Sequence, residues 1–173
     1  MNNDAADGLG LLVDAKALGC DPDLGHDLWG VLSRGLIRNG PALIFAVNDR
    51  GLPNATTGAG EVMARMGWDA TRFECNTNSF HLDDHAPVTV TDVDDEPYIG
   101  PEDRVVMLRL GLKVAHAVSR LARALPEPVP VRCIISAGPT NGTFRFHQLR
   151  HGESLIMDDL DAYGEEMIVV VDA

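Results

Sequence analysis

A single α+β domain, with one mostly antiparallel sheet and a long amphipathic helix on one of its faces, is predicted by three features of this chain. Residues from about 102 to 125 carry Met107, Gly111, Val114, Val118, Leu121, Ala122 and Leu125 at helical spacing, so one stripe faces a core. VPVRCIIS and TFRFHQLR flank GPTNG and read as a β-hairpin. MIVVVDA closes the sequence as a strand that is apolar on both faces, which reads as central. The regular βαβ alternation of a doubly wound sheet is missing.

The other elements follow in order. Residues 1–8 are expected to fray, and LGLLVDAKALG to form a short helix ending at Gly19. HDLWGVLSRGLIRNG reads as one helix with Leu28, Val31, Leu32 and Leu36 on a common side, stopped by Asn39 and Gly40. ALIFAV is a strand and NDRGLP a turn, expected to form a hairpin. Ala59 to Trp68 has helical spacing, whereas TRFECNTNSF alternates loosely and reads as a strand. Residues 82–102 are acidic, hold three prolines and form a surface excursion in which VTVTDV adds a strand. The long helix then opens favourably: Pro101 suits a first turn, and Glu102 and Asp103 complement the helix dipole.

Composition narrows the function classes. A chain of 173 residues fits one domain, 1–173, with room for a real core. Acidic residues outnumber basic ones 26 to 14, a net charge of −12. That field repels nucleic acid and anionic lipid and attracts basic partners. No apolar run approaches a membrane span, and acidic residues stand where a secretory signal would be basic, so a cytoplasmic protein is expected. Cys20, Cys75 and Cys133 are scattered, which predicts neither a disulfide framework nor a zinc site. No cofactor is expected.

One short motif points to chemistry. Arg150, His151, Gly152, Glu153 and Ser154 follow a strand-like run as RHGES. Over about ten residues this resembles the signature of the histidine phosphatase superfamily. The resemblance implies His151 as the phosphoryl acceptor and Arg150 as the clamp on its oxygens. The rest of the chain departs from that family, whose motif opens the domain and whose second histidine comes much later. Here 19 residues follow Ser154, with no histidine, arginine or lysine among them. The nearest second histidine, His116, lies mid-helix upstream.

A metal-dependent alternative rests on HLDDH, in which His81, Asp83 and His85 would share a divalent ion if the segment were helical. The glutamate of HExxH is missing and Pro87 follows closely. Both hydrolase readings stand as alternatives to a non-catalytic one.

The charge layout carries that non-catalytic reading. Asp83 to Asp103 holds eight carboxylates, including Asp92, Asp94, Asp95 and Glu96. Glu153 to Glu166 holds six with no basic residue between them: Glu153, Asp158, Asp159, Asp161, Glu165 and Glu166. On the long helix, Arg109, Lys113, His116, Arg120 and Arg123 form a stripe opposite the apolar face, expected to pair with one acidic block. Like charges crowded on a surface destabilise a lone molecule and become useful beside a cationic partner. Small acidic inhibitors of basic nucleases, such as bacterial immunity proteins and barstar-like antitoxins, offer an analogy of size and charge. The expected function is therefore a non-catalytic acidic protein that binds a basic protein partner.

Overall fold

The computed structural model describes residues 1–10, 25–49 and 54–173. Its elements are α1 (Asn3–Leu9), α2 (Gly25–Ser33), β1 (Leu36–Asn39), β2 (Ala42–Phe45), α3 (Asn54–Met66), α4 (Ala70–Thr77), β3 (Phe80–His81), β4 (Val90–Val93), β5 (Glu96–Ile99), α5 (Pro101–Arg123), β6 (Val131–Ala137), β7 (Gly142–Gln148) and β8 (Met167–Asp172). The main sheet runs β3-β7-β6-β8, with two separate hairpins, β1-β2 and β4-β5. Every pairing is antiparallel, so the predicted α+β class holds.

The long helix packs on the main sheet as its periodicity requires. Met107, Val114 and Val118 meet Val131, Cys133 and Ile135 of β6 and Phe144 and Phe146 of β7 in one core. Each such side chain contributes about 1.5–3 kcal/mol by leaving water. At Gly111 the helix approaches β6 so closely that an added methyl would collide with the side chain of Ile135. Leu108, Ala115 and Ser119 are buried as well, a wider stripe than the sequence pattern, because α1 covers a second side of α5.

Several elements depart from the sequence reading. Residues 1–8 do not fray: Asn2 caps α1 at Ala5 and binds the outer edge of β8, accepting from the Ile168 amide (2.9 Å) and donating to the Glu166 carbonyl (2.6 Å). That edge exists because β8 pairs only with β6 and is terminal rather than central. Its two-sided apolarity reflects cover by α1 and the core, not a second strand. The helix of HDLWGVLSRGLIRNG ends at Ser33, broken by Gly35 at φ +78°, and Leu36–Asn39 becomes a strand paired with β2. The ALIFAV hairpin therefore turns backwards onto β1. Residues 50–53 of NDRGLP, and all of the expected helix ending at Gly19 beyond Gly10, lie outside the described residues.

TRFECNTNSF is the largest difference. Ala70–Thr77 is a helix, capped by Asp69, whose carboxylate accepts from the Arg72 amide (2.7 Å). Residues 82–102 carry the exposed β4-β5 hairpin, anchored by the buried Leu82 and Ile99. Asp94 and Asp95 form its tight turn at φ +54° and +64°. No described helix is long and apolar enough to cross a membrane.

His147 on β7 is fully buried. Its Nδ1 lies 2.8 Å from the Gln148 carbonyl, which can only accept, so Nδ1 carries the proton and Nε2 is left without a partner. Burial is the main cause holding its pKa below the usual 6.5, against the raising influence of the Gln148 carbonyl and Glu74. The unfolded chain thus takes up a proton first as pH falls through 6.5. Stability is expected to be full above that pH and to fall below it by up to about 1.4 kcal/mol per pH unit. Melting temperatures between about pH 8 and pH 5 should show this slope, flattened in His147→Gln.

Candidate functional site

The site is built around α4, which stands between two strand edges that do not pair with each other. Thr71, Glu74, Cys75 and Asn78 recur at helical spacing on its buried side. Glu74 is fully buried and accepts from the amides of Leu43 on β2 (2.6 Å) and Gln148 on β7 (2.8 Å). One turn on, Asn78 accepts from the Phe45 amide (3.0 Å) and donates to the carbonyls of Leu43 (2.9 Å) and Phe146 (3.3 Å). β3 covers β7 only as far as Phe144, so beyond it these two side chains stand where another strand would.

Arg150 completes this joint. Its guanidinium grips Glu74 with two bonds, Nη1 to Oε2 at 2.8 Å and Nη2 to Oε1 at 2.6 Å. It also donates to the carbonyls of Pro41 (3.0 Å) and Gln148 (3.2 Å). The hydrogen bonds that Arg150 donates to Glu74 raise its pKa above its ordinary value. In the RHGES segment the arginine is therefore held by a buried carboxylate, and Glu153 accepts from Thr71 at 2.5 Å. His151 is exposed on the turn at Gly152, φ +78°, while His116 is exposed on α5. Neither lines the cavities described below.

HLDDH is not a helix. His81 lies on β3 with its ring 3.9 Å from Asp83, whose carboxylate accepts from the Gly142 amide (2.8 Å). His85 instead sits edge-on to Phe80, ring centres 5.6 Å apart. The structure brings His81 and Asp83 together and leaves His85 apart. Among the described residues no group of three His, Cys, Asp or Glu side chains is placed to hold a metal ion.

The two acidic blocks approach each other at the base of the β4-β5 hairpin. Asp92, Asp94, Asp95 and Glu96 are exposed on the β4-β5 hairpin, and Asp158, Asp159, Asp161, Glu165 and Glu166 on the segment before β8. At the hairpin base the Ile99 amide donates to the Pro139 carbonyl (2.6 Å), and the Glu166 side chain lies beside neighbouring Gly138. Arg104 of α5 reaches the Glu165 carbonyl at 3.4 Å. The hairpin base, Glu165 and Glu166 thus come together around the β6-β7 turn, whereas the Asp161 carboxylate accepts from the Asn3 amide (2.8 Å) and side chain (2.9 Å) at the start of α1, and Asp158 lies toward Arg132. None of these nine carboxylates forms an ion pair with a described residue, and the α5 stripe pairs with neither block. Five of the eight large apolar side chains left exposed among the described residues fall inside these blocks: Val90, Val93, Tyr98, Leu155 and Met157.

The face of the main sheet away from α5 holds a feature that sequence reading passed over. Thr143, Arg145 and His147 of β7 alternate with the core-facing Phe144 and Phe146. A cavity of about 430 Å³ lies between this face and the 155–166 segment, next to one of about 230 Å³ beside α4. Arg145 lines both. In the sequence it is only the polar member of an alternating strand, with nothing to separate it from Arg132.

The chain belongs to the Uncharacterized protein PM0498 family, whose model matches residues 21–173. No curated protein and no solved structure matches it.

Replacing Arg150 strands a buried carboxylate. Arg150→Met is expected to cost about 3 kcal/mol in urea unfolding, and Arg150→Lys to recover only part, since the two-pronged grip is lost. His151→Ala, one residue away on the exposed turn, is expected to stay within about 0.5 kcal/mol.

Proposed function

We propose that this protein is a non-catalytic binding protein that engages a basic protein partner through the acidic flank formed by the β4-β5 hairpin and the segment before β8. The observation that carries this reading is the company its carboxylates keep. A merely solvated acidic loop has no need of bare Val93, Tyr98 and Met157, which are 50%, 36% and 51% exposed. Apolar anchors inside a charged surround are the composition of a protein interface. The anionic surround speeds the encounter and selects a cationic partner, while the apolar side chains slow its departure.

The hairpin geometry supports the same reading. Antiparallel register places Thr91, Val93, Glu96 and Tyr98 on one face, so acid and anchor are presented together. A phosphatase reading through Arg150 and His151 would require the arginine to leave Glu74 and its buried amide partners. The finer form of the proposal is an immunity- or antitoxin-type inhibitor, whose partner is a basic enzyme silenced on binding.

Affinity capture from the native cells, followed by binding kinetics on the retained protein, tests this. The partner should be basic. Asp92→Asn/Asp94→Asn/Asp95→Asn, which keeps the positive-φ turn accessible, should lower the association rate about tenfold and flatten its salt dependence. Tyr98→Ala should instead raise the dissociation rate. An acidic partner, or one indifferent to both variants, would refute the proposal; for the inhibitor form, undiminished activity of the bound partner would do so.

A further inference from the structure

We infer that the cavity on the outer face of the main sheet binds a small organic anion, with its carboxylate or phosphate group on Arg145 and its apolar body against Ile134 and Ile168. This site shares its outer wall, Leu155, Tyr163 and Glu166, with the segment of the acidic flank before β8, and stands on different observations.

The first is a contrast between neighbouring arginines. Arg132 on β6 binds Asp172 through two bonds of 2.7 Å, and Arg150 binds Glu74 through two more. Arg145 on β7, opposite Ile134 of β6, is half-buried and makes no hydrogen bond or ion pair with a described residue. A guanidinium offers five donors in a planar fork suited to carboxylate or phosphate oxygens. Arg104 and Lys113 are also half-buried without a carboxylate, but Arg145 alone of the three lines these cavities.

The second is the cavity wall. Its lining holds the Arg145 guanidinium and the His81 ring in the larger lobe, with Arg72 joining Arg145 in the smaller one, against one carboxylate, Glu166. Arg72 is steadied over the Trp68 ring at 5.4 Å. The floor carries Ile134 and Ile168, together with the hydroxyls of Ser136 and Thr143, which lie 2.9 Å apart. Leu155 and Tyr163 face them across the space. With Asn141 and Ile156, these side chains form an evenly mixed polar and apolar wall around about 430 Å³, a size suited to a small molecule. The only thiol on the lining, Cys75, is pushed up to about 12 by burial and stays protonated, so the site binds rather than attacks.

The probe is 8-anilinonaphthalene-1-sulfonate, an aromatic anion that fluoresces when bound, compared with its uncharged relative N-phenyl-1-naphthylamine. Saturable binding of the anion to the native protein is expected. Arg145→Gln should weaken it about tenfold or more and leave the uncharged dye unaffected. Displacement by phenyl phosphate or by octanoate then tells phosphate from carboxylate. Should Arg145→Gln prove less stable, Arg72→Gln on the exposed rim decides, with an expected weakening of about threefold. The inference is overturned if the anion does not bind, if the folded variant binds it within about twofold of the native protein, or if both dyes respond alike.

Discussion

Two strand edges in this protein meet side chains of a helix instead of meeting each other, and the rest of the architecture follows from that. The outer edge of β2 and the end of β7 present backbone groups that are buried and would each cost about 1–3 kcal/mol if left unmet. Glu74 and Asn78 meet them from α4. A buried carboxylate in turn demands a cation, and Arg150 supplies it. The β1-β2 hairpin, α4 and the end of the main sheet are thereby locked into one unit. The RHGES segment takes its arginine from this need: the residue that resembles a phosphate clamp is the counterion of a structural carboxylate.

How much of this was legible in the sequence depended on whether burial was apolar. α5 and the β6-β7 hairpin were readable because their buried faces are written in Val, Ile, Leu, Met and Phe at regular spacing. α4 was not, because its inward residues include Thr71, Glu74 and Asn78, which a hydrophobic pattern counts as solvent-facing. Leu36 and Ile37 extended the α2 pattern by one turn, and only the backbone at Gly35 ends it. β8 looked central because α1 and the core cover it as fully as a neighbouring strand would. For the sites, the acidic blocks could be seen as charge, but their approach to each other at the β6-β7 turn is a property of the fold. Arg145 differs from Arg132 only in lacking a carboxylate opposite, which the one-dimensional pattern does not record.

The charge of the molecule is distributed with a direction. Glu102 and Asp103 stand in the first turn of α5, where the helix dipole favours negative charge, and Glu165 lies beside Arg104 there. The stripe from Arg109 to Arg123 runs toward the other end, along a helix of 23 residues, or about 34 Å. Each group therefore remains available to the solvent instead of neutralising the other. This separation leaves the exposed carboxylates without an internal cation, and Arg145 on the outer face of the main sheet has no ion-pair partner among the described residues.

The claim on which the account most depends is that Arg150 belongs to Glu74. Nitrogen-15 spectra of the arginine and histidine side chains, recorded while orthovanadate is added as a mimic of a transferring phosphoryl group, test it directly. The account predicts slowly exchanging Arg150 guanidinium signals that, like those of His151, do not move. Joint movement of the Arg150 and His151 signals would contradict it.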